Sequence, residues 1–252
     1  MYNNSNTITF SIFYVNCNIF TFIFVSMELD IRIKMNEKLF IRNPEDSELG
    51  RKIVQKGLIL INKLGFELFT FKKLAAEIKT TEASIYRYFE NKHRLLVYLI
   101  AWYWSYLEYK VVFSVNNMKD PELKLKTIIN ILAKEPELSS LSSEYISESE
   151  AYKLILWEGS KAYLTKNIGK DNNDQLFKPY KDLCERFASI IKEFNPKYKY
   201  PHSLASTVFE MAHAQKFFMD NLPSLTDFGK SQDEKKLILF LENLLFNSIK
   251  TN

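Results

Sequence analysis

Two clusters of cations stand where helices should begin. Lys72 and Lys73 follow Thr70, and Lys92, His93 and Arg94 follow Asn91. Thr and Asn are capping residues, and the first turn of a helix already carries partial positive charge. A cation there is therefore mildly unfavourable, by about a few tenths of a kcal/mol. A bound phosphate would remove the conflict, because backbone N–H groups, helix dipole and side-chain cations would attract the same anion. The alternative is that the long side chains extend into water.

The charge distribution also points to an anionic partner. The chain of 252 residues carries a net +4. From Gly50 to Leu96, ten cations (Arg51, Lys52, Lys56, Lys63, Lys72, Lys73, Lys79, Arg87, Lys92, Arg94) face four acids (Glu67, Glu77, Glu82, Glu90), a net +6 that leaves −2 for the rest. A basic module on a slightly acidic body is the footprint of a nucleic-acid binder, although a solvated helical surface gives the same counts.

The elements that must position these cations are helices. Hydrophobic residues make up 46% of the chain, enough for a core, but six Gly and seven Pro are too few for many tight-turned strands. Asn43, Pro44, Glu45 and Asp46 form a helix start, and Ile53, Val54, Gly57, Leu58, Ile61 and Leu64 recur at helical spacing before Gly65. The first helix is thus expected over Pro44–Leu64. Thr70 caps a short second helix with Phe71, Leu74, Ala75 and Ile78 on its buried side. Lys79-Thr80 is the turn, and Thr81 caps a third helix with Ile85 and Phe89 facing inward. Asn91 caps a long fourth helix, expected over Lys92–Val115. Two short helices across a tight turn, packed on longer ones, make a helix-turn-helix over about 70–89.

This stretch resembles the DNA-binding domain of the TetR family of bacterial transcription regulators. The resemblance covers about Ser47 to Tyr106. It rests on a helix ending at Gly65-Phe66, then "FTFKKLAAEI", then "TTEASIYRYFENKHRLL", with Tyr86, Phe89, Lys92 and Leu95-Leu96 in the family's Y-x-x-F-x-x-K-x-x-L-L arrangement. It implies that the third helix lies in the major groove. Glu82, Ala83, Tyr86 and Arg87 then face base edges, with Lys72 reaching in from the second helix. Arg87 suits guanine O6 and N7, and Glu82 suits cytosine N4. Thr70, Ser84, Tyr88 and Lys92 are the implied phosphate contacts. One departure is Lys79, where the family usually has Gly. Left-handed backbone costs Lys more than Gly, so a rebuilt turn and an altered tilt of the third helix are expected.

The remaining pattern is also helical, so the fold class is all-α: an N-terminal DNA-binding domain over 44–106, then a larger helical regulatory and dimerisation domain over 107–252. Helices are expected over Pro121–Lys134, Tyr152–Ile168, Leu176–Phe194, Pro201–Asn221 and Asp233–Lys250, with loops in 135–149 and 169–174. The resemblance implies a small-molecule inducer, partly apolar, in this body. Trp102, Tyr103, Tyr106 and Trp157 are the candidate pocket lining, with plain core as the alternative. It also implies a homodimer through the last two helices. Leu204, Val208, Met211, Phe218, Leu237, Phe240, Leu241, Leu244 and Leu245 are the candidate interface, or else the protomer's own core.

The expected partners are therefore a palindromic double-stranded DNA operator, a second copy of the chain and an unknown inducer. The expected function is a cytoplasmic, ligand-responsive repressor. No cofactor or metal is expected, since His93, His202 and His213 lack ligand spacing, and Cys17 and Cys184 form no CxxC pair. The motifs of phosphate-loop, Ser-hydrolase and zinc-protease enzymes are absent, so no catalytic residues are assigned. Ile8 to Val25 is apolar, is interrupted by Asn16 and Asn18, and follows no cation. It lacks the marks of a secretory signal. Residues 1–34 are read as a mis-assigned start before Met27 or Met35, or an unstructured extension, with no membrane contact in the mature chain. The alternative is a helical interaction protein anchored in a membrane by this segment.

Overall fold

The computed structural model describes residues 8–17, 20–29, 33–136, 145–229 and 233–250. The apolar N-terminal run forms an antiparallel hairpin of β1 (Ile8–Cys17) and β2 (Phe20–Leu29), with Ile8 opposite Leu29 and Cys17 opposite Phe20. Its Ile, Phe, Tyr, Val and Thr residues favour strands. Among the described residues no helix is long and apolar enough to cross a membrane.

From Glu37 onward every described element is helical. Asn43 caps only a 3₁₀ turn, Pro44–Asp46, and α1 proper begins after Ser47, running Glu48–Leu64. Gly65 ends it at φ +77°, with its N–H on the Ile61 carbonyl. Next come α2 (Phe71–Glu77) and α3 (Glu82–Tyr86), capped by Thr70 and Thr81 as expected. Lys79 lies in the turn between them. Lys79 takes the left-handed conformation at φ 55°, and the Thr80 N–H closes on the Ala75 carbonyl at 2.9 Å. Lys at this position costs about 1–2 kcal/mol relative to right-handed backbone.

Asn91 caps α4 (Lys92–Val115), whose 24 residues extend roughly 36 Å at the helical rise. Residues Leu95 to Trp104 of α4 are all buried, as in a helix enclosed by neighbours on every side. Its first turns close the N-terminal domain. Gly57 permits α1 to approach there, since a Cβ would meet the Leu95 side chain at 2.9 Å. Its later turns enter the body, made with α5 (Pro121–Ala133), α6 (Glu148–Glu158), α7 (Ile168–Asn173), α8 (Lys178–Phe194), α9 (Pro201–Asn221) and α10 (Glu234–Lys250). There α8 lies against α4, α5 and α9, and α10 against α5 and α9. One continuous hydrophobic core runs through both parts.

Two expectations fail in the body. The helix expected over Tyr152–Ile168 starts earlier, at Ser147's cap, and gives way at Gly159 to a 3₁₀ turn. The loop expected over 169–174 is instead mostly α7. A buried ion pair, described below, holds that short helix against α4.

Candidate nucleic-acid interface

The short α3 is held from below by Ile85 and Phe89, both fully buried. Its outer side is open. Glu82, Ala83, Tyr86 and Arg87 are exposed, as is Lys72 on α2. Among the described residues, Lys72, Glu82 and Arg87 have no ion-pair partner. Tyr86 is 46% exposed and lays its ring edge-on against Phe71, with centroids 5.1 Å apart. The ring is thus steadied on α2 while the residue still faces outward. Two possible base-edge donors, one acceptor and an aromatic group share this face. Thr70 is exposed at the start of α2, where its hydroxyl accepts from the Lys73 N–H at 3.2 Å. The half-buried Ser84 is linked to Thr81 hydroxyl to hydroxyl at 2.8 Å.

The other two expected phosphate contacts are otherwise engaged. Tyr88 is 3% exposed, and its hydroxyl is hydrogen-bonded to Ser47 Oγ at 2.8 Å. Lys92 turns back into its own domain. Its Nζ donates to the carbonyls of Phe66, Glu67 and Phe69 at 2.9, 3.1 and 3.1 Å, and lies 4.6 Å from the Phe66 ring centre. An ammonium has three N–H donors, so all of them are spent on the α1–α2 loop. Of the neighbouring side chains, Arg94 pairs with Asp171 at 3.0 Å and the His93 ring approaches the same carboxylate at 3.6 Å. The cations at the α4 start are therefore offset by the protein itself.

Residues 53–99 match the family of bacterial regulatory proteins called tetR. The match covers most of the N-terminal helical unit, from α1 into α4. The matched stretch includes α3 and the turn before it, where Lys79 stands. Several solved structures share the wider fold. The fatty acid degradation regulator FadR from Bacillus halodurans aligns at TM-score 0.52 and 18% identity, over 77% of this chain and 96% of that one. AibR, solved with isovaleryl coenzyme A and operator DNA, aligns at 0.54 and 14%, over 78% and 98%. A transcriptional regulator from Saccharomonospora viridis, solved with choline, aligns at 0.56 and 15%, over 82% and 98%. At these identities the likeness is one of fold. No curated protein matches the sequence.

The body divides the remaining candidates. Trp102, Tyr103 and Tyr106 are buried together, Trp102 stacked on Tyr106 at 5.3 Å. Trp157 stands apart: it is 59% exposed on α6, with its ring edge-on to that of Phe217 at 5.0 Å. Tyr103 is hydrogen-bonded to His213 Nε2 at 3.2 Å, and His213 Nδ1 meets the Phe209 carbonyl at 3.0 Å. Only a protonated Nδ1 can bond that carbonyl, so Nε2 accepts and Tyr103 donates. Burial pushes the His213 pKa down to about 4, which keeps the ring neutral at ordinary pH. Leu204, Val208, Leu237, Leu241 and Leu245 are buried within the protomer and are core residues, not free interface. Met211, Phe218, Phe240 and Leu244 keep part of their surface exposed.

Sequence reasoning missed Glu158 and Asp171, buried carboxylates at 6% and 3% exposure. Nothing in the local pattern of a lone acid marks it as buried.

Proposed function

We propose that this protein is a ligand-responsive transcriptional repressor that binds a palindromic operator as a homodimer. The supporting observation is the face of α2 and α3, where Lys72, Glu82, Tyr86 and Arg87 are exposed and the three charged groups have no ion-pair partner among the described residues. An Arg at this position suits a guanine and a Lys suits phosphate or a base edge. One five-residue helix reads too few base pairs to select a genomic site, and a two-fold pair doubles the readout over half-sites about 34–36 Å apart or a multiple of it. The partly exposed Phe240 and Leu244 of α10, with Met211 and Phe218 of α9, are among the apolar groups available for that pairing. The effector is a small molecule taken up in the body, a reading in keeping with the ligands of the fold neighbours. A protein acting on bacterial operators works in the cytoplasm.

Mapping the genomic sites bound by the protein tests this directly. Recovery of one inverted-repeat sequence, protected on both halves, is expected. Binding without sequence preference would overturn it. For the dimer, Phe240→Glu should convert a sedimenting dimer to a folded monomer with weak operator binding. An unchanged wild-type monomer that grips a single half-site would refute the pairing.

A further inference from the structure

The segment that ties the body to the reading head lies far from α3 in sequence. Loop 65–69 joins α1 to α2 and so sets where α2 and α3 point. From one side it is held by Lys92. From the other it is held by the body: Glu158 Oε1, at the end of α6, accepts the Phe66 N–H at 2.9 Å. Lys161 then pairs with both Glu158 at 2.8 Å and Glu67 at 3.2 Å. One helix further on, Asp171 of α7 lies between Arg94 at 3.0 Å and His93 at 3.6 Å on the first turn of α4. Asp174 closes the same patch through Lys38 at 2.7 Å and its carbonyl through Asn36 at 2.9 Å.

Packing alone does not require these groups. Burying a carboxylate is costly unless it is paired, and apolar residues of similar volume often serve stability as well or better. Here two buried carboxylates, about a dozen residues apart, reach out of the body and each holds a different edge of the DNA-binding domain. We infer that Glu158 and Asp171 are positioning residues for operator binding, holding loop 65–69 and the α4 N-terminus in the places that set α2 and α3. Glu158 fixes the acceptor of the Phe66 N–H, and Asp171 fixes the counter-charge of Arg94 at the α4 start. Neither group touches DNA. Their effect passes through loop 65–69 and the α4 N-terminus.

This inference rests on the operator-binding reading, so its test has one readout that needs DNA and one that does not. Glu158→Ala and Asp171→Ala are compared with Leu132→Ala, a body-core change that lowers stability without touching the reading head. Melting temperature, operator affinity per folded protein and amide exchange at Phe66–Phe69 are measured for each. We expect Glu158→Ala to weaken operator binding at least about fivefold, the lower end of typical site-to-site coupling, and to speed exchange at Phe66. Glu158→Gln keeps an acceptor for that N–H and should restore most of both. Leu132→Ala should lower the melting temperature alone. If Glu158→Ala and Asp171→Ala behave like Leu132→Ala, with wild-type exchange at the loop and wild-type affinity, the inference is wrong. If the wild type binds no DNA, the functional reading fails, while the exchange data still decide whether Glu158 fixes the loop.

Discussion

Lys72 near the start of α2 and Lys92 at the start of α4 sit in similar places on their helices, each just inside a capping residue. Lys72 is exposed and has no ion-pair partner among the described residues, whereas Lys92 is half-buried and gives all three of its donors to carbonyls of the α1–α2 loop. Arg94 is in turn met by the buried Asp171. The difference lies in what surrounds each helix start. The α4 start is enclosed by loop 65–69 and α7, so desolvation obliges its cations to find protein acceptors. The α2 start faces outward, and among the described residues no acid pairs with Lys72. An unfavourable dipole placement is therefore settled within the fold at one site and left for a partner at the other.

The comparison can be broken most strongly at Lys92. Lys92→Ala leaves three carbonyls without their charged donor and should destabilise the protein by about 2–3 kcal/mol, measured by urea unfolding. Stability unchanged within error would mean that the side chain is free in solution. Next in size is Arg87→Ala, expected to relax preference at one operator position and to cost about 1–3 kcal/mol of binding there, with folding stability shifted by less than ~0.5 kcal/mol. Equal losses on all sequences would make Arg87 a phosphate contact. Lys79→Gly relieves the left-handed backbone before α3, and a thermal melt should show a gain of about 0.5–1 kcal/mol. A loss there would mean that the Lys79 side chain makes contacts worth more than the strain.

The local features of this domain were legible in the sequence because capping and turn chemistry act over a few residues. Thr70, Thr81 and Asn91 cap the helices they precede, Gly65 ends α1, and Ile85 and Phe89 are buried. Roles that depend on what lies across space were not legible. Tyr88 and Lys92 occupy the right positions in the pattern, yet Ser47 and loop 65–69 claim them. Leu241 and Leu245 share one helical stripe with candidate interface residues, and only the packing of α10 on α5 and α9 separates core from surface. Trp157 reads like its aromatic neighbours but points to the outside of α6. Residues 169–174 carry the composition of a loop, yet most of them lie in α7, which a tertiary ion pair from Arg94 to Asp171 holds against α4.

The most direct test is the salt dependence of operator binding in Lys72→Ala and Lys92→Ala, each corrected for the folded fraction. Each true phosphate contact contributes about 0.9 to the slope of log affinity against log salt. Lys72→Ala should flatten that slope by about this amount at unchanged stability, while Lys92→Ala should keep the wild-type slope despite its lower stability. A flattened slope in Lys92→Ala with normal stability, and an unchanged slope in Lys72→Ala, would reverse the assignment and contradict it.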